Sequence, residues 1–185
     1  MKALTTLSAW IFGLAMIGLA FFVTADVIAR KFFSFSFEGT GEMGGYILAV
    51  GAELTFVVAL TQRAHMRIDV LYARLPVALR AVLDWVSLVT LAAMALLMAM
   101  LGWQMLRDSI SYHSTAQTPW ATPLAWPQSF WLASLALFAL VALWQLALAS
   151  RALVARRWEE LNARFGSAGE KDEIEAELAD LERRR

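Results

Sequence analysis

Residues 86–106 read VSLVTLAAMALLMAMLGWQML, twenty-one consecutive residues without a charge. At about 1.5 Å of rise per residue, a helix of that length reaches roughly 30 Å, the thickness of the hydrocarbon core of a bilayer. A surface helix of a water-soluble domain carries charge on one side, and this run has no charged side to turn to water. Working outward, three more runs of the same kind flank it, giving expected spans at about residues 7–29, 44–62, 82–106 and 128–150. In lipid every backbone N–H and C=O must be satisfied within the segment, so an open chain crosses as helix. The fold class that follows is an all-α integral membrane protein of four transmembrane helices. Residues 1–157 form the expected membrane domain and residues 158–185 a charged, partly helical tail.

Composition agrees. Of the 185 residues, 59% are hydrophobic and 17% charged, with a mean hydropathy of +0.57, against about a quarter charged in an ordinary soluble domain. The formal net charge of zero hides an asymmetry: residues 1–157 carry a net +4 and residues 158–185 a net −4. No basic stripe suits nucleic acid. With no cysteine, disulfides, thiolate metal sites and iron–sulfur clusters are excluded. The first run ends at VTA–Asp, which resembles a signal-peptide boundary. Its apolar stretch is longer than the ~7–15 residues of a signal core, however, and its basic leader is weak, so it is expected to stay as a span.

Lysine and arginine near the span ends set the orientation. Lys2, Arg63, Arg67, Arg74, Arg80, Arg151, Arg156 and Arg157 fall on one side; Arg30, Lys31 and Arg107 fall on the other. The richer side is expected to be cytoplasmic, with both termini inside and residues 107–127 outside. Trp10, Trp85, Trp103, Trp126, Trp131 and Trp158 stand near span ends, where an amphipathic ring favours the headgroup zone. Trp144 lies deeper and is expected to pack on a neighbour. The external segment RDSISYHSTAQTPWATPLAWP carries three prolines, each disfavouring helix at the residue before it. It is expected to be extended and irregular, either as a cap across helix ends or as a docking surface.

Between the second and third spans lies RAHMRIDVLYARLP (63–76). His65 and Asp69 are four apart and would share a helix face, but a catalytic zinc needs at least three protein ligands. The other histidine, His113, belongs to the opposite side. No span contains a histidine that could ligate haem. Apolar Ile68, Val70, Leu71 and Leu75 interleave with Arg67, Asp69 and Arg74, a pattern suited to lying among phospholipid headgroups. The stretch reads as an interfacial amphipathic hinge, with His65 and Asp69 tying it to a helix end and Pro76 opening the next helix. No cofactor or metal is expected.

Glu53 is the one ionisable residue near mid-span. A charge there is unfavourable by about 2.5–3.5 kcal/mol on insertion scales and marks a functional position by default. A contact between helices or subunits is favoured over an ion pathway, which calls for broken helices and more than one deep acid. Gly41 and Gly45, then Gly45 and Ala49, are four apart and permit close helix approach. With Glu42 and Tyr46 they mark the second span as the face on which something else packs.

These residues bring a family into view. A Glu-x-x-x-Tyr entry (Glu42, Tyr46), AHMRIDVLYARLP (64–76) with His65, Arg67 and Asp69, and the loop ending TPLAWPQSFW resemble the DctQ-like small membrane subunit of TRAP transporters, over about residues 5–155. The resemblance implies a bacterial inner-membrane protein, not an enzyme, within a sodium-coupled carrier of organic acids. Its implied partners are a large membrane subunit that moves the solute and a periplasmic solute-binding protein, the small subunit bracing the large one. The competing reading is a structural subunit of another membrane complex, or, further off, a haem-carrying electron-transfer subunit.

Overall fold

The protein is described from a computed structural model, for residues 2–62, 72 and 75–165. The described residues form five helices: α1 (Lys2–Phe33), α2 (Thr40–Gln62), α3 (Val77–Ser111), α4 (Ala125–Val154) and the short α5 (Trp158–Phe165). The first four are long and apolar enough to cross a membrane. Each extends beyond its expected span. α1, with 32 residues, and α3, with 35, reach about 48 and 52 Å at 1.5 Å per residue, so they tilt within the bilayer or project from it. Several serine and threonine hydroxyls inside the spans return to their own helix, as Thr24 does to Ala20 O (2.7 Å) and Thr55 to Gly51 O (2.8 Å), which satisfies those donors in lipid.

The lateral order of the four long helices is α1–α2–α4–α3. α1 packs on α2, α2 also on α4, and α4 on α3, while α5 folds back across α3 and α4. The result is a wall one helix thick. Burial follows the order: 44% of α4's most apolar window is covered, against 6% of α1's. On α1 the residues that lose exposure are Ser8, Phe12, Ala15, Leu19, Phe22, Asp26 and Ala29, with Met16 beside Ala15. Their spacing alternates four and three, the seam of a coiled coil. Between α3 and α4 the buried seam uses Ala92, Ala95, Ala139 and Ala142 beside Leu88 and Phe138; small side chains let the two backbones approach closely where lipid offers no hydrophobic drive.

Helix ends are closed by backbone turns. After α3, His113 takes φ 49°; its N–H reaches Ile110 O and that of Ser114 reaches Ser109 O. After α4, Arg156 at φ 54° does the same, with Arg156 N–H to Leu153 O and Arg157 N–H to Ala152 O. Both are Schellman caps built on a non-glycine residue. Pro76 is the residue before α3, extended at φ −62° and ψ 150°, and its carbonyl receives Leu79 and Arg80 N–H.

Two expectations are corrected here. The 107–127 segment is not irregular: residues 107–111 continue α3, and Pro127 sits in the first turn of α4, where a missing N–H is harmless. The remaining 112–124 fold into a hairpin-like turn, with Thr115 bridged to Pro123 and Ala116 N–H on Thr122 O at 2.9 Å. The loop satisfies its own backbone, which overrides the local effect of its prolines. Trp144 is not buried against a neighbour; it is 58% exposed because α4 spends its buried sides on α2 and α3. The 63–71 stretch and residues 166–185 lie outside the described residues, and with them the amphipathic hinge and most of the acidic tail.

Candidate functional site

Polar chemistry gathers at the end of the wall that carries the 34–39 and 112–124 connections. Asp26, 1% exposed, closes the α1 seam there. One carboxylate oxygen accepts Phe37 N–H at 2.8 Å and the Ser36 hydroxyl at 3.0 Å; the other pairs with the Arg30 guanidinium at 2.7 Å. These bonds hold a turn in which Ser34 and Glu38 adopt φ 51° and 57°, a left-handed conformation that non-glycine residues adopt at a cost of roughly 1–2 kcal/mol each. Phe22 meets Phe37 at 5.7 Å and Trp120 at 6.2 Å between ring centroids. The Trp120 indole lies against the Cα of Gly39, where no side chain would fit. The hairpin is thereby pinned over the α1–α2 junction.

Glu42 and Tyr46, one turn apart on α2, do come together. The Tyr46 hydroxyl donates to Glu42 at 2.9 Å, and the hydroxyls of Thr118 and Thr122 reach the same carboxylate from the hairpin. Glu42 is therefore the hub that ties the 112–124 hairpin to α2, with hydroxyls as its partners.

Glu53 stands apart, eleven residues further along α2, about 16 Å of helix. It is half-buried and shares a hydrogen bond with the Trp131 indole, its N–H the donor, on α4. The sequence placed Trp131 among the headgroups; the structure turns it inward to Glu53 and to Gly102, whose backbone it touches. Gln145 of α4, also buried, points away to Leu60 O. His65, Arg67 and Asp69 lie outside the described residues. His113 serves as a helix terminator, a conformation histidine tolerates better than most residues.

The opposite end has its own knot, which the sequence did not reveal. Asp84, 1% exposed, accepts the Tyr72 hydroxyl at 2.6 Å. Trp85 Nε1 donates to Ser150 Oγ at 2.9 Å, and Asn162 Nδ2 to Val77 O at 3.0 Å. Leu161 and Phe165 of α5 bury themselves beside these bonds. The signal present in the sequence was an acid, Asp84, two residues inside the third run, beside a tryptophan.

Apolar hollows mark both faces of the wall. One, about 390 Å³, runs between α1, α2 and the start of α4, lined by Ile11, Val50, Trp126 and Phe130 among others. On the other face, α2, α3 and α4 line an open hollow of about 430 Å³ at Tyr46, Ala49, Gln128 and Trp131 and another of about 330 Å³ at Glu53, Met98 and Phe138. Among the described residues no three histidines, aspartates or glutamates converge as metal ligands. The named acids are engaged in joining helices to one another and to their connections, which is the chemistry of a rigid frame.

Comparison with known proteins gives the frame its place. No curated protein and no solved structure matches the chain. Residues 19–152 match the family described as "Tripartite ATP-independent periplasmic transporters, DctQ component", a family of transporter components rather than enzymes. The match takes in the second half of α1, all of α2 and α3, the Glu42-centred hairpin and nearly all of α4. Four membrane-length helices in an open wall, knotted at both ends, are thus the structure of a transporter subunit: the chain belongs to the DctQ component family of TRAP transporters.

Proposed function

We propose that the chain is the small permease subunit of a sodium-coupled TRAP transporter that takes up organic acids, and that it braces the scaffold of the large membrane subunit without touching the solute. The observation that carries this is the lateral order α1–α2–α4–α3. A wall one helix thick encloses no path between its own helices, yet offers two broad faces to a partner. The family implies a bacterial inner membrane, and the basic residues favour both termini in the cytoplasm with the Glu42-tied hairpin outside, within reach of a docked binding protein. His65, Arg67 and Asp69 would hold the inner connection at the phospholipid headgroups.

Copurification from mild detergent tests the reading: the large membrane subunit is the expected companion, and a different stable companion would point to the alternative of a structural subunit in another complex. Within the complex, α2 is the contact helix through Tyr46, Ala49 and Glu53. Glu53→Leu should then lower recovery of the complex several-fold, since a membrane-embedded polar contact contributes about 1 kcal/mol or more. Wild-type recovery and uptake would remove Glu53 from the interface. A photo-cross-linker at Gln117, exposed on the hairpin, should capture the binding protein.

A further inference from the structure

Asp26, Glu42 and Glu53 are held in different ways. Asp26 has the Arg30 guanidinium, the Phe37 N–H and the Ser36 hydroxyl. Glu42, in the first turn of α2, has three hydroxyls. An ionised carboxyl has room for about four donors, and both of these sites supply several. Glu53 has one partner among the described residues, the Trp131 indole N–H. Otherwise it faces the 330 Å³ hollow, with Leu91, Met94 and Met98 of α3 and Phe138 of α4 around it.

No cation stands close by. On α2 the sequence places no charge between Glu42 and Arg63 except Glu53 itself, and Glu42 is about 16 Å of helix away. α3 carries none between Asp84 and Arg107; these lie about 10 Å of helix from Leu91 and about 13 Å from Met98. α4 carries none before Arg151, and α1, packed on α2, none between Lys2 and Asp26. The tyrosine hydroxyls are committed elsewhere, Tyr46 to Glu42 and Tyr72 to Asp84. A carboxyl withdrawn from water with neither a counter-charge nor a full set of donors takes up a proton instead. A neutral acid is easier to satisfy. Its C=O keeps the indole N–H, and its O–H needs one acceptor, such as the carbonyl one turn back that Thr55 uses in the same helix.

We propose that Glu53 is a proton-binding site: a neutral carboxylic acid at neutral pH that presents an O–H, not a charge, to the hollow, and that apolar carbodiimides modify. Such a reagent dissolves in the bilayer and reacts with the protonated acid. The acid's proton passes to one carbodiimide nitrogen while the carboxyl oxygen bonds the central carbon. The acyl group then migrates to nitrogen, leaving a stable acylurea that contains every atom of both reactants. The proposal concerns this chain by itself and stands whichever complex it joins.

Infrared spectroscopy of the full chain in phosphatidylcholine liposomes at neutral pH tests it. The wild type should show a neutral-acid C=O band that Glu53→Gln loses, while helical content is unchanged because the amide still accepts the indole N–H. Trp131→Phe should retain the band and move it to higher frequency, since the acid remains and its donor is gone; this arm holds even where Glu53→Gln folds poorly. Dicyclohexylcarbodiimide should add its mass at Glu53, and a charged, water-soluble carbodiimide should not. A neutral-acid band absent from the wild type, surviving in Glu53→Gln or unmoved in Trp131→Phe overturns the proposal. So does a Glu53 left unmodified by the apolar reagent or preferred by the charged one.

Discussion

Replacing Asp26 with leucine is expected to unlock the loop end of the wall and to reduce the yield of folded, assembled protein by about tenfold, because three bonds to one buried carboxylate vanish together. The Phe37 N–H and the Ser36 hydroxyl lose their acceptor, and Arg30 loses its ion-pair partner. Ser34 and Glu38 then keep their positive φ only through the Glu38 N–H on Ser36 Oγ and the Phe22–Phe37 contact, so the turn loosens and α2 is set less firmly in register against α1. Asp26→Asn separates the contributions: an amide oxygen can still accept Phe37 N–H, while the attraction to Arg30 is lost, so its defect should be intermediate. Melting in detergent and protease cleavage within residues 34–39 are the readouts. A leucine variant that melts and resists cleavage like the wild type would mean that the turn is held by other contacts.

Gly51→Leu carries the second large effect. The Phe12 ring rests on the α carbon of Gly51, and even a methyl group there would overlap it. Overpacking of this kind costs about 1–3 kcal/mol. The consequence is larger than the number suggests, because α1 packs chiefly on α2 and has little else to hold it. The leucine should loosen α1 from the wall, which an engineered disulfide across the α1–α2 seam would report as slower closure in a chain with no native cysteine. Phe12→Ala removes the obstruction, so the double variant should recover much of the loss, a coupling of about 0.5–3 kcal/mol for residues in contact. Strict additivity of the two would show that ring and glycine do not meet.

The four helices were legible because twenty-residue apolar runs admit one structure in lipid. Their lateral order was not. In water the buried face of a helix announces itself by period; in α1 Leu14 and Phe21 on the open side are as apolar as Phe12 and Leu19 in the seam. The two clues were Ser8 and Asp26, polar residues that share the seam, but Asp26 read as the end of a span. Its partners belong to a turn whose shape no local pattern announces. Trp131 was hidden similarly, counted as a headgroup anchor; its bond to Glu53 depends on α2 lying beside α4, which only the fold supplies. Glu42 and Tyr46 were found because four-residue spacing on one helix is local. Their hairpin partners Thr118 and Thr122 were not, being more than seventy residues away.

Uptake by sealed proteoliposomes tests the central claim most directly. Vesicles holding this chain alone should accumulate no more labelled organic acid than empty vesicles under an inward sodium gradient. Adding the large membrane subunit and the binding protein should produce uptake that collapses when this chain is left out. Solute accumulation by the chain on its own would contradict the account.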